Sequence, residues 1–265
     1  MRQWLNFACG AVPLAAAFDD APGSSGLLIV SGGNETLSGS HGNMAKLAAR
    51  LAVAGHPVFR YDRRGIGDAA GENGGFETGA ADLAASVSAF RAAAPGMTRI
   101  VGFGNCDGAS TLALFGTDLA IDALVLANPW VIETVGELPP AAAIKARYRQ
   151  KLMDPKEWLR LLRGGVDIGK LFKGLRAASA KAPTGGLAEH MRTAIATSPV
   201  PVGIVLAKRD ATALAFADAW GGRIAKHVQV TEIESNSHSF AKPADADALF
   251  TILIEALADT SRPIA

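Results

Sequence analysis

Residues 99–110 read RIVGFGNCDGAS. The first half, RIVGFG, is a short apolar run of the kind that forms a buried strand. The second half opens DGASTLALFG (107–116), which reads as a helix. Between them lies Gly104-Asn105-Cys106-Asp107-Gly108, a G-x-C-x-G pattern at a strand-to-helix turn. So sharp a turn strains the backbone of its central residue, and glycines flank it because strand and helix approach too closely for side chains. With Ser at the centre, this context marks a nucleophile held at the top of a sheet. Here the residue is Cys106, and a helix starting at Asp107 aims the positive end of its dipole at the sulfur, favouring thiolate. A buried cysteine between two chance glycines is the plain alternative. The placement between strand and helix argues for the nucleophile.

Outward from this turn the chain alternates strand and helix. NFACG and VPLAAAF form an opening pair of strands, and GLLIVSG (26–32) is a buried strand ending in a glycine pair. A helix over 43–55 ends at Gly55, HPVFRYD (56–62) is a strand, and Thr78 caps a helix running to about Ala94. DALVLANPW (122–130), PVPVGIVLAKRD (199–210) and HVQVTEIES (227–235) are further strands, and helices follow around 212–222 and 243–258. This rhythm predicts an α/β fold, a mainly parallel sheet with helices on both faces. Such sheets bind ligands at the carboxyl ends of their strands.

Two later residues fall where a nucleophile's partners belong. Asp210 directly follows the 199–210 strand, and His238 lies in Ser235-Asn236-Ser237-His238-Ser239 after the 227–235 strand. The order nucleophile, acid, histidine is the one this kind of sheet uses. Of five histidines only His238 has the right place. The set Cys106, Asp210 and His238 is therefore the candidate catalytic group. An oxyanion needs two N–H donors. Asp107 supplies one, and Gly33 or Asn34 the other, from Gly32-Gly33-Asn34 after the 26–32 strand. In Tyr61-Asp62-Arg63-Arg64-Gly65-Ile66-Gly67-Asp68, the residues Asp62, Arg64 and Asp68 read as braces of a loop, and Cys9 as a structural thiol.

Residues 131–198 break the rhythm. They show no strand pattern, and within 137–192 there are 12 basic side chains against 5 acidic ones, so the remainder is net acidic. The segment is expected to be a helical cap inserted into a core made of 1–130 and 199–265. The chain of 265 residues is 49% hydrophobic and 19% charged, enough to build a large core. A formal net charge of +1 gives nucleic-acid binding no global support. No apolar run approaches the ~20 residues of a membrane span. Gly10 and Pro13 interrupt the apolar N-terminus, which reads as strand rather than signal, so the mature chain is expected in the cytoplasm. Two cysteines without a CxxC suggest neither a disulfide framework nor a zinc site. No metal or organic cofactor is expected.

With these motifs in view, the chain resembles the first type of exosortase-A-system-associated hydrolase, a bacterial α/β-hydrolase family found beside exopolysaccharide and protein-sorting genes. The matching pieces run from LLIVSGGNETLSGSHGNMAKLAARLAVAGHPVFRYDRRGIGD through GNCDGAS and ALVLANPWV to LAKRDATA and SNSHSF. They cover the core outside the cap. The resemblance implies an α/β-hydrolase fold and a Cys-centred triad, and is nearly silent on substrate. The chain departs from the family pattern at Gly32-Gly33-Asn34-Glu35, where Gly-Gly-Pro is expected.

The expected chemistry is hydrolysis of an ester, thioester or lactone through an acyl-enzyme on Cys106. Two other readings stand beside it: an acyltransferase to a sugar or other alcohol, and a catalytically silent binding module on a hydrolase scaffold. The partner is a small-molecule or carrier-linked acyl substrate, and the basic cap also suits weak contact with anionic surfaces. If cap charges steer an anionic acyl substrate, its kcat/KM should fall steeply with ionic strength, while that of a neutral ester hardly changes. Flat profiles for both leave the charges with no part in selection.

Overall fold

A computed structural model describes residues 1–132, 186–222, 224–225 and 227–258 of the chain. Eight strands form one sheet: β1 (Arg2–Cys9), β2 (Val12–Asp19), β3 (Ser25–Val30), β4 (Val58–Tyr61), β5 (Arg99–Asn105), β6 (Ala123–Ala127), β7 (Val202–Ala207) and β8 (Gln229–Ile233). Their order across the sheet is β1-β2-β4-β3-β5-β6-β7-β8. The β1–β2 hairpin and the β2–β4 pair are antiparallel. From β4 to β8 every neighbour is parallel.

The central strands are apolar along their whole length because both faces are covered. On one face Leu28, Val30, Phe59, Leu124 and Leu126 pack under α2 (Ala80–Ala93), α3 (Asp107–Phe115), α4 (Leu187–Ala196) and α5 (Ala211–Trp220). On the other, Leu27, Ile29, Val101, Phe103 and Val125 pack under α1 (Asn43–Val53) and α6 (Pro243–Ala258). Successive residues of a strand serve opposite faces, so these two cores follow from the period-two geometry of β3, β5 and β6. Each fully buried leucine or phenylalanine contributes roughly 1.5–3 kcal/mol of transfer free energy.

This is the α/β arrangement anticipated from the alternating pattern, with some boundaries moved. The strand read over 122–130 stops at Ala127 because Asn128 turns to φ 41°, followed by Pro129. The strand read from 199 starts at Val202, after Pro201, which has no N–H for the ladder. Thr78 is not the cap of α2. Gly79 holds that position, and Thr78 Oγ1 donates instead to the Gly75 carbonyl at 3.0 Å, closing a preceding 3-10 turn. Most of the expected cap, 133–185, lies outside the described residues; at its end, α4 packs on the core through Leu187, Met191 and Ile195. No helix among the described residues is long and apolar enough to cross a membrane.

The contact that positions the site is between α3 and the strands beneath it. A Cβ on Gly108 would lie 2.3 Å from the Val30 carbonyl oxygen, and one on Gly104 would lie 2.6 Å from the backbone of Gly108 and Ala109. Both obstacles are main chain and cannot rotate away. Gly108→Ala is therefore expected to cost about 1–3 kcal/mol or more, as overpacking does. Gly96→Ala, with open space around its Cβ, should be nearly neutral. Urea denaturation of the two variants measures the difference. Equal stability would contradict the close approach.

Candidate active site

Cys106 stands between β5 and α3 with φ 59° and ψ −127°, a conformation costly for a side-chain-bearing residue. The neighbouring backbone holds it there. Its N–H donates to the Ala127 carbonyl at 3.0 Å, and its own carbonyl accepts from the N–H groups of Ala109, Ser110 and Trp130 at 3.1, 3.3 and 3.2 Å. The thiol is half-buried at the first turn of α3.

Asp210 follows β7 and caps α5. Its Oδ2 accepts from the N–H groups of Thr212 and Ala213 at 3.0 and 3.1 Å. The same oxygen lies 3.0 Å from His238 Nδ1. With Nδ1 facing the carboxylate, Nε2 is the ring nitrogen left for the Cys106 sulfur. Hydrogen bonds from the imidazole to Asp210 and then to Cys106 outweigh burial and push the His238 pKa up to about 10. Burial pushes Asp210 upward, but His238 and the two backbone N–H groups more than offset it and hold the carboxyl below its ordinary value. The structure thus brings Cys106, His238 and Asp210 together at the carboxyl ends of β5, β8 and β7. The imidazolium is the favoured form of His238 beside a thiol and a carboxylate. Its contribution to stability is whole below the ordinary value of 6.5 and is lost as pH rises through about 10.

The loop carrying His238 is tied at both ends. Ser235 Oγ bonds the Asp245 carboxylate of α6 and accepts the Ser237 N–H, and Ser237 Oγ accepts the Ala241 N–H. A residue outside the expected set, Asn128, completes the support. It is fully buried just past β6, and its Nδ2 donates to the His238 carbonyl at 2.9 Å and to Asn105 Oδ1 at 3.4 Å. Its Oδ1 accepts the Ala207 N–H at 2.8 Å. One amide therefore couples the ends of β6 and β7, the turn before Cys106 and the histidine loop. The sequence signal was an asparagine before proline at a strand end, Asn128-Pro129.

The expected oxyanion donors are less open than their sequence suggests. The Gly33 N–H donates to Asp107 Oδ1 at 2.5 Å, so the side chain of one expected donor residue occupies the amide of the other. Asn34 is exposed, with its side-chain carbonyl accepting from Asn73 at 3.3 Å. Arg63, passed over in the sequence, bonds the Gly33 carbonyl and lies 3.5 Å from Asp107 Oδ2. Asp62 and Arg64 brace their loop: Asp62 accepts from Leu37 and Asp68 N–H groups, and Arg64 pairs with Asp82 at 2.7 Å. Asp68 contributes only its backbone N–H to that brace. Cys9 is buried against Leu14 and Ala69, and burial raises its thiol pKa. No cluster of metal-ligating side chains occurs among the described residues.

A doubly covered sheet in this strand order, with a thiol at a strained strand-to-helix turn, defines an α/β-hydrolase. Residues 24–172 match the family described as serine aminopeptidase, S33, and the chain belongs to that hydrolase family. Among solved structures it is similar to an esterase of Pyrococcus furiosus, Pf2001, at 15% identity and a TM-score of 0.63, over 96% of this chain and 92% of that one. It is also similar to the α/β-hydrolase GrgF of a Penicillium species, at 14% identity and a TM-score of 0.65, over 97% and 98%. Proline iminopeptidase of Mycobacterium smegmatis aligns at 15% identity and a TM-score of 0.61, over 95% and 98%. A search of curated proteins finds no match.

The setting of the two thiols separates their reactivity. Iodoacetamide at neutral pH should alkylate Cys106 first, because an imidazolium and a helix N-terminus adjoin its sulfur, and Cys9 only slowly. Peptide mapping after partial labelling reads the order. Labelling that begins at Cys9 contradicts the arrangement.

Proposed function

We propose that the chain hydrolyses an ester, thioester or lactone through an acyl-enzyme on Cys106. The observation that carries this reading is His238 held between the Asp210 carboxylate and the Cys106 sulfur, with its imidazolium favoured. The attacking form is the Cys106 thiolate, facing the His238 imidazolium. The thiolate attacks the acyl carbonyl, and the oxyanion is received by the N–H groups of Asp107 and of Gly33 or Asn34. As the tetrahedral adduct collapses, the bond to the leaving oxygen or sulfur breaks, and His238 Nε2 gives that atom its proton. The neutral imidazole then takes a proton from water, whose oxygen attacks the thioester carbonyl. Collapse expels the Cys106 thiolate, releases the acid and restores the imidazolium. Asp210 keeps Nδ1 as the proton-bearing donor throughout, so the ring cannot turn away.

The family is that of a serine aminopeptidase, and this chain carries cysteine at the turn. A thiolate nucleophile suits acyl groups with good leaving atoms, and the esterase named among the similar structures favours the same substrate class. Two unpaired cysteines fit a reducing compartment, the cytoplasm. The basic segment suits a negatively charged or carrier-linked acyl substrate, and the polysaccharide setting of the exosortase-associated hydrolases that the chain resembles keeps transfer to an alcohol as a second outcome. Product analysis with added alcohols separates transfer from hydrolysis.

A panel of activated esters and thioesters tests the reading. Cys106→Ala should abolish turnover, and Asp210→Asn should lower kcat by a factor on the order of 10³ or more while the fold persists. Near-normal rates in Asp210→Asn would assign the orienting role to another carboxylate. Turnover that survives Cys106→Ala would remove the nucleophile.

A further inference from the structure

The acceptor on the Gly33 amide is a carboxylate, and it belongs to the residue directly after Cys106. Left in place, it occupies the N–H that a developing oxyanion requires and repels the charge growing there. Arg63 stands beside both groups. Its Nη2 donates to the Gly33 carbonyl and lies 3.5 Å from Asp107 Oδ2, short of a good hydrogen bond. The Arg63 side chain is only 6% exposed, and its Nε and Nη1 have no partner among the described residues. The atom nearest Asp107 is Nη2 rather than these two, and a carboxylate is the strongest acceptor a buried guanidinium can take.

We propose that Asp107 is a positioning residue that caps the Gly33 amide in the resting site and transfers its carboxylate to Arg63 when an acyl group arrives, baring the amide for the oxyanion. The inference rests on the acyl-transfer reading of Cys106. The movement is small: a 3.5 Å separation closes to a charge-assisted bond of about 2.8 Å. Arg63 keeps its hold on the Gly33 carbonyl meanwhile, so the loop stays in place while the amide changes partner. Pairing with Arg63 also neutralises the carboxylate when negative charge develops on the substrate. The site therefore displays its second oxyanion donor only to an acyl carbonyl that competes well for it, which selects substrates anchored by contacts elsewhere.

Single-turnover acylation by p-nitrophenyl acetate, beside alkylation by iodoacetamide, tests the transfer. Alkylation forms no oxyanion and reports the thiol alone, so the acylation rate of each variant is read relative to its alkylation rate. Asp107→Ala should acylate faster, on the order of tenfold, the weight of a charge-assisted hydrogen bond. Arg63→Gln leaves the carboxylate without a receiver and should acylate more slowly than the wild type by a similar factor. The double variant should behave as Asp107→Ala, because without the cap no receiver is needed. If Arg63→Gln does not fold, Arg63→Lys should show a smaller loss with the same relief. An Asp107→Ala no faster than wild type, or a double variant as slow as its Arg63 parent, overturns the proposal. Proton–nitrogen NMR of the Gly33 amide reads the cap without turnover: its resonance should move markedly in Asp107→Ala, where the acceptor is gone. An amide indifferent to Asp107 rejects the cap even where esterase activity is intact. A responsive amide in a protein with no Cys106-dependent acylation keeps the cap and rejects the acyl-transfer reading instead.

Discussion

The rest of the site depends on one steric constraint, the approach of α3 to the carboxyl end of β3. The space between Gly108 and the Val30 carbonyl admits no Cβ, and the same is true where Gly104 meets the start of the helix. Because the helix sits so low, the chain must turn within a single residue between β5 and α3, and Cys106 takes the strained conformation that results. The strain is useful only because Ala127 and Trp130 grip that residue's backbone from the neighbouring strand end. A looser turn would let the sulfur drift from the imidazole that faces it.

Around that turn the polar groups form two connected layers. The inner one is Asp210, His238 and Cys106, in which the carboxylate and the sulfur both favour the imidazolium. The outer one is Asn128 with the serines of the histidine loop, which make no contact with the sulfur yet fix where the imidazole stands. Asn128 is buried and has its side-chain groups satisfied, so its amide is an internal strut linking three strand ends rather than an unmet polar cost. The loop around Gly33 is held differently, through the Arg63–Gly33–Asp107 contacts, and Arg63 keeps idle donors. Cys106 and His238 are thus tightly set, and the Asp107 carboxylate has a second partner nearby.

Much of this was legible in the sequence because it rests on local rules. Continuous apolar runs such as LLIV and ALVLA read as doubly covered strands, the glycines around Cys106 read as a tight turn, and Asp210 and His238 each follow a strand directly. What escaped depends on long-range placement. Thr78 has the chemistry of a cap, but its hydroxyl closes the preceding turn and Gly79 takes the capping position. Asn128 and Arg63 look like ordinary polar residues at strand ends until the sheet brings His238 and Gly33 to them. The role of the Asp107 side chain is invisible in the sequence for a similar reason: its carboxylate reaches 74 residues back along the chain to Gly33.

The central claim is that acyl groups pass through the Cys106 sulfur. Rapid quenching of the protein with an activated ester in acid, followed by peptide mass spectrometry, tests it most directly. An acyl adduct confined to the peptide containing Cys106, released when the peptide is treated with hydroxylamine as a thioester is, is the expected result. An adduct on another residue, or turnover with no adduct on Cys106 at any quench time, would contradict it.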